Sequence, residues 1–422
     1  MNHFAYRNGR LHAESVDLAD IVQAHGSPVF VYSRATIEQA YRAFTDALDE
    51  RDYLICYAVK ANSNLAVLSV LANLGAGFDI VSIGELHRVL RAGGRPDRIV
   101  FSGVGKRDDE IIEALQIGIR CFNVESEWEL NRLSELAQAL GVTAPVSLRV
   151  NPDVDAQTHP YISTGLKENK FGIAIDRAAL VYRLASELPA IQPVGIDCHI
   201  GSQLTQTAPF VDALKRVLVL VDELSQQGVH LKHLDIGGGL GVRYADETPP
   251  SAAEYIDAIA PLIQDYDLEL VLEPGRAIMA NAGVLLTRVL GTKYNGDHHF
   301  VIVDAAMTEL MRPALYQAWH DILPLQEIPT VSAQKSDVVG PVCETGDFLA
   351  RDRMLAAEAN DLLAVMSAGA YAFVMSSNYN SRPRPPEIMV DGDKLHLARE
   401  RETLDDLMRG EHPLSESGQV AD

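Results

Sequence analysis

From residue 28 to about residue 275 the sequence keeps one rhythm: short apolar, β-branched runs alternate with stretches of helical periodicity. The runs are PVFVYS (28–33), LICYAVK (54–60), GFDIVS (77–82), IVFSG (99–103), CFNVES (121–126), VSLRVNP (146–152), GIDCHIG (195–201), HLDIGGG (233–239) and LELVLEPG (268–275). Between them lie helical patterns such as RATIEQAYRAFTDAL and SEWELNRLSELAQALG. Strands joined by helices build a parallel sheet, and near-continuous apolar runs are those of a sheet covered on both faces. The expected fold class is therefore α/β: a (β/α)8 TIM-like barrel, with one of the runs flanking it or belonging to its closure.

After residue 279 the rhythm changes. VLLTRVLGTKYN, HHFVIVDAAM, LLAVMSAGAYAF and PPEIMVDGDKLHLA read as hairpin-like strands with few long helices. A mainly β, β-barrel-like C-terminal domain is expected, joined by an N-terminal hairpin in FAYRNGRLHAE. The expected domains are residues 28–278 for the barrel and 1–27 plus 279–422 for the β domain. A chain of 422 residues is long enough for both. The polar tail after Gly410 is expected to fray.

Composition narrows the partners. A net charge of −22 argues against nucleic acid or an anionic membrane surface. No apolar run approaches the ~18 residues of a membrane span, and the N-terminus lacks a basic-then-apolar leader, so a cytoplasmic protein is expected. The four cysteines, Cys56, Cys121, Cys198 and Cys343, form no CxxC or CxxH cluster, so no metal site is expected. Three of them lie in apolar runs and read as small core residues. Cys343 stands instead in CETGD, a polar Gly-containing turn.

In such a barrel, chemistry sits at the C-terminal ends of the strands. Lys60, Asp79, Arg149, His199, Ser202, the DIGGGLG glycines and Glu273 all fall at or near such ends. Each has a bland reading and a chemical one. Lys60 is either a lysine whose head reaches solvent or a Schiff-base lysine. DIGGGLG is a flexible turn or a cradle of backbone N–H groups for phosphate. It fails the dinucleotide pattern GxGxxG, because position 242 is Val, and a single phosphate suits it better. LEPGRAI, HIGSQ, CETGD and MRPALYQAWH each offer charged or polar groups at turns or on one helical face. Taken together, a Schiff-base lysine, a one-phosphate cradle and a flat ring such as His199 describe a pyridoxal phosphate site.

The motifs YAVKAN, HIGSQ, DIGGGLG, EPGR, RPALY, CETGD and AYAFVMSSNYNSRPRP span about residues 30 to 390 in order. With them the chain resembles the diaminopimelate decarboxylases, pyridoxal-phosphate enzymes of the alanine-racemase-like fold that also holds ornithine and arginine decarboxylases. Thr345 departs from the Ser common at that place in the family. The resemblance implies that pyridoxal 5'-phosphate is the cofactor and that Lys60 forms the Schiff base with it. Asp79, Arg149, His199, Ser202, Gly237, Gly238, Gly239, Gly275, Arg276 and Tyr371 would bind it too, Tyr371 from the β domain. Glu273 would pair with the pyridine nitrogen, where racemases of this fold tend to carry arginine. Cys343 would be the proton donor, supplied with Glu344 across a homodimer with shared active sites.

The resemblance also implies the reaction: meso-2,6-diaminopimelate to L-lysine and CO2, the last step of lysine biosynthesis. The substrate's distal amino-acid head needs a cation for its carboxylate and an acid for its ammonium. Arg276, Arg312, Tyr316, Glu344 and Tyr371 are the expected substrate-binding residues. An arginine facing a simple diamine precursor would be left unpaired, which disfavours the alternative substrates ornithine, arginine and carboxynorspermidine. Residues 159–172, HPYISTGLKENKFG, are expected to act as a mobile lid.

Overall fold

The structure, a computed structural model, describes residues 3–48, 51–155, 169–327 and 332–414. Most of the expected lid and the end of the tail lie outside the described residues.

Eight of the nine runs close a parallel barrel. Its strands are β1 Tyr53–Ala58, β2 Gly77–Ile80, β3 Ile99–Phe101, β4 Cys121–Val124, β5 Ala144–Asn151, β6 Ile191–Asp197, β7 His233–Asp235 and β8 Glu269–Leu272. Each pairs with the next, and β8 returns to β1 with Leu270 opposite Tyr53. The chemistry of the strand ends recurs. Ser82 accepts from the Glu85 N–H and caps the helix Ile83–Arg91, and Ser126 accepts from the Glu129 N–H to cap Glu127–Leu140. A Ser or Thr cap with Glu three residues on is how a strand hands over to a helix.

Inside the barrel, polarity changes along the strand direction. Leu54, Cys56, Val100, Cys121, Val194 and Val271 form one apolar cluster. Further along the strands stand Asp79, Asn123, Asp197 and Asp235, all at most 1% exposed. An apolar plug thus lies beneath a polar ring.

The chain forms two compact units. One comprises Met1–His3, Ser33–Gly283 and Ser367–Val374; the other comprises Phe4–Tyr32, Val284–Met366 and Met375–Asp422. The ninth run, Val29–Ser33, pairs in the second unit's sheet, between Gly283–Asn295 and Glu387–Asp391, and not in the barrel. All five of its residues are buried, so it carries the same all-apolar pattern as a barrel strand. The expected barrel start at residue 28 thus differs from the compact unit's start at Ser33, and Ser367–Val374, expected in the β domain, packs with the barrel.

The second unit is mainly β. Its N-terminal hairpin pairs Phe4 with Ala13, and Phe4, Leu11, Ile21, Val31, Val284, Leu286, Ile388 and Val390 share its core. Among the described residues no helix is long and apolar enough to cross a membrane.

Candidate active site

Lys60 sits in the one-turn 3-10 helix Val59–Ala61, directly after β1. Its Nζ donates to Asp79 Oδ2 at 2.7 Å, because Ala58 at the end of β1 is in register with Asp79 on β2. The lysine side chain is 37% exposed and its partner 0%. Burial opposes the charge on Lys60, but Asp79, with Glu273 and Tyr371, outweighs it and holds the ammonium above the usual lysine range. The turn beneath is pinned: Tyr57 Oη donates to the Asn62 carbonyl at 3.0 Å, and Asn62 Nδ2 donates to the Gly369 carbonyl at 3.0 Å.

Asp197, Asp235 and Glu273 form the floor, with ligand oxygens within 4.8 Å of one another. Strand register places Asp197 opposite both Arg149 and Asp235. Burial first, and then the other acids, push Asp197 and Glu273 well above the carboxylate range. Burial lifts Asp235 to about 7, against the pull of the Gly237 N–H, which donates to its Oδ1 at 2.8 Å. The cluster therefore keeps protons near neutral pH. Among the described residues it is the one group spaced to ligate a metal. Metal ligands must shed their protons, and Arg149 Nε already lies 3.8 Å from Asp197 Oδ2.

Arg149 Nη1 also donates to Glu125 Oε1 at 3.2 Å, and the guanidinium lies over the Phe171 ring. Glu125 in turn accepts from the Gly103 and Gly172 N–H groups, each at 3.0 Å.

His199 follows β6. Its Nδ1 accepts from the Gly238 N–H at 3.2 Å and lies 3.9 Å from Glu273 Oε2. Burial, then Arg149 and Lys60, hold its pKa well below the ordinary imidazole value. The ring is neutral, and with Nδ1 accepting, the proton is on Nε2. The glycines opposite are sterically required. Gly237 has φ +68°, and a Cβ there would collide with the His199 imidazole. A Cβ on Gly238 would collide with the Glu273 carbonyl.

Arg276 follows Gly275 and is 6% exposed. Its Nε and Nη2 donate to Ser202 Oγ at 3.2 and 3.1 Å, and Nη1 donates to Tyr244 Oη at 2.8 Å. These hydroxyls orient the guanidinium without cancelling its charge. It lies across the Tyr371 ring, 4.7 Å from the centroid. Tyr371 has φ +55°, and its N–H donates to the Ala61 carbonyl at 2.8 Å. It thus belongs to the barrel unit and not, as expected, to the β domain.

Arg312, Tyr316, Cys343 and Glu344 lie in the second unit. Arg312 and Tyr316 share the helix Arg312–Tyr316; Arg312 is buried and Tyr316 half-buried. Cys343 and Glu344 are exposed. Their turn is organised by Asp347, whose Oδ2 accepts from the Val342 N–H at 2.8 Å and whose Oδ1 accepts from the Met307 N–H at 2.6 Å. The Cys343 N–H donates to Asn380 Oδ1 at 2.7 Å. Cys56, Cys121 and Cys198 are buried, and burial raises all three thiols.

Five contributors were not singled out from sequence: Asp197, Asp235, Glu125, Tyr244 and Asp347. Asp197 and Asp235 had a signal, an acid inside an otherwise apolar run. Glu125 and Tyr244 pair with groups distant in the chain, and single-chain spacing carries no mark of that; Asp347, the last residue of CETGD, bonds Val342 within its turn and Met307 across the fold.

The pyridoxal-dependent decarboxylase pyridoxal binding domain matches residues 34–280. The diaminopimelate decarboxylase of Pseudomonas aeruginosa is 61% identical over 411 residues, covering 97% of this chain and 99% of the relative. The chain belongs to the diaminopimelate decarboxylase family. The Haemophilus influenzae member is 53% identical, with 96% and 98% covered. The diaminopimelate decarboxylase of Helicobacter pylori complexed with L-lysine superposes with a TM-score of 0.90 at 44% identity, with 93% and 98% covered. That of M. jannaschii in co-complex with L-lysine gives 0.93 at 37%, with 98% of each chain covered.

The residues present fit the cofactor of this family. Asp79 Oδ1, Asp197 Oδ1 and Asp235 Oδ2 are buried with no hydrogen-bond partner, which suits a protonated ring nitrogen. Arg276 and Ser202 suit a phosphate, and the Lys60 amine suits an aldehyde.

Proposed function

We propose that the chain decarboxylates meso-2,6-diaminopimelate to L-lysine and CO2, with pyridoxal 5'-phosphate as its cofactor. The observation that carries this reading is the Lys60–Asp79 pair at the rim of a barrel that also holds Glu273 in a buried acid cluster. Full-length likeness to diaminopimelate decarboxylases supports it.

When bound, pyridoxal 5'-phosphate supplies an aldehyde for an amine and an electron sink for the pair left by departing CO2. Asp79 Oδ2 orients Lys60 Nζ at 2.7 Å and holds it as the ammonium, which must shed its proton before it becomes a nucleophile. Glu273, beside Asp235 and Asp197, would pair as a carboxylate with the ring nitrogen and favour its protonated form, which deepens the sink. Arg149 stabilises the acids on the side of Asp197. His199, neutral and flat, would stack on one face of the ring. Ser202, Gly237, Gly238, Gly239, Gly275 and the backbone of Arg276 would hold the phosphate, and Tyr371 orients Arg276.

The second unit supplies the remaining groups. Arg312 binds the distal carboxylate, Glu344 the distal ammonium, and Tyr316 adds a hydroxyl. Arg276 and Tyr371 reach the substrate from the barrel. The Cys343 thiol, exposed on its turn, gives a proton to the substrate's α-carbon in the other subunit of a homodimer with shared sites. We place this enzyme in the cytoplasm, acting on a small molecule with no nucleic-acid or membrane partner.

The test is a substrate panel. Purified protein with pyridoxal 5'-phosphate is given meso-diaminopimelate, ornithine, arginine, lysine and carboxynorspermidine separately, and CO2 release is followed. Release from diaminopimelate, falling about 100-fold or more in Arg312→Ala, is expected. Release from ornithine or arginine instead would keep the cofactor chemistry and overturn the substrate.

A further inference from the structure

We propose that His320 is a positioning residue for Arg312, and through it a determinant of distal-carboxylate recognition; the proposal rests on the reading of Arg312 given above.

The chain is built to bring the two together. The helix Arg312–Tyr316 ends at Gln317, which has φ +52° and whose N–H donates to the Arg312 carbonyl. This left-handed stop turns the backbone, and His320 comes back onto Arg312, fully buried. Arg312 Nη1 lies 2.8 Å from His320 Nε2, and His320 Nδ1 lies 2.8 Å from the Met366 carbonyl oxygen.

The proton arrangement is dictated by the partners. A carbonyl only accepts, so Nδ1 must donate. A guanidinium only donates, so Nε2 must accept. His320 is therefore neutral with its proton on Nδ1; an imidazolium would face Arg312 with a second donor.

The far side of the ring is anchored. The Met366 N–H donates to the Asp321 carbonyl at 2.8 Å, where the strands Ile322–Pro324 and Leu362–Val365 pair. The His320 carbonyl accepts from Arg353 Nη2 at 3.2 Å. The imidazole is thus a rigid post holding one guanidinium nitrogen.

A carboxylate in that place would also fix Arg312, but it would compete with the substrate's own carboxylate. A neutral imidazole acceptor removes rotamer freedom without bringing a negative charge of its own. Preorganisation of this kind raises affinity by lowering the ordering cost at binding.

The test separates position from stability. In His320→Asn the shorter amide can still donate to Met366 but no longer reaches Arg312. In His320→Gln an amide oxygen stands near the depth of Nε2. The expected result is a rise of about tenfold in the KM for diaminopimelate in His320→Asn, with a smaller change in kcat and partial recovery in His320→Gln. The double variant His320→Asn/Arg312→Ala should show no further rise over Arg312→Ala alone. A His320→Asn variant that loses melting temperature but keeps its KM overturns the proposal. If Arg312→Ala itself keeps KM, the reading of Arg312 fails, and this proposal with it. One measurement needs no substitution: the nitrogen chemical shifts of His320 in selectively labelled wild type. Protonation on Nδ1 is expected, and protonation on Nε2 overturns the proposal whatever the variants do.

Discussion

Lys60 Nζ lies 2.7 Å from Asp79 Oδ2, an ammonium at the barrel rim paired with a carboxylate that water does not reach. The pair holds the lysine charged, against the opposing pull of burial. Capturing an aldehyde needs the opposite state, a free amine.

Removing the carboxylate should therefore move cofactor capture. In Asp79→Asn the Lys60 pKa falls, so the free amine appears at lower pH. The pH profile for the growth of visible absorbance, on mixing apo protein with pyridoxal phosphate, should shift down by about one unit or more. An unchanged profile would mean that Asp79 does not set the charge of Lys60.

The acid cluster gives a stability prediction with a definite sign. Asp235 titrates at about 7 in the folded chain, against roughly 4 when unfolded. Between these values the folded state binds more protons, so stability falls as pH rises through the window. Asp235→Asn can still accept from the Gly237 N–H but does not titrate. Its melting temperature, measured on apo protein, should gain on wild type as pH rises from about 4 to about 7. A difference that stays flat with pH would contradict the shared-proton account.

Both predictions depend on groups that the sequence revealed unequally. Lys60 and Glu273 were legible because a charged residue at the end of an apolar run is costly unless the fold uses it. Asp197 and Asp235 stood in similar runs, yet their meeting follows from strand register, which single-chain periodicity does not contain. Val29–Ser33 reads from sequence as a barrel strand or its neighbour, because a strand buried on both faces looks alike in either sheet. The family resemblance implies Tyr371 in the β domain, whereas its bond to the Ala61 carbonyl holds it in the barrel unit. Arg312 was named from its motif, whereas His320, its partner eight residues on, gave no signal of its own.

The shared-site homodimer is open to a mixing test. Lys60→Ala and Cys343→Ala homodimers should each be nearly inactive. After denaturation and refolding together in equal amounts, about a quarter of wild-type activity should return, because half the dimers are mixed and each holds one intact site. If Lys60 and Cys343 serve the same subunit, the mixture stays as inactive as its components.

The central claim is that this chain breaks the bond between the α-carbon and the carboxylate of diaminopimelate and places a proton on that carbon. The most direct measurement is the reaction in D2O, with wild type and Lys60→Ala side by side and the products followed by mass and NMR. The account predicts one CO2 and one L-lysine per diaminopimelate with wild type, a single deuteron at the lysine ε-carbon, which is the carbon that lost the carboxylate, and no product with Lys60→Ala. Lysine without the ε-deuteron, or equal turnover by Lys60→Ala, would contradict it.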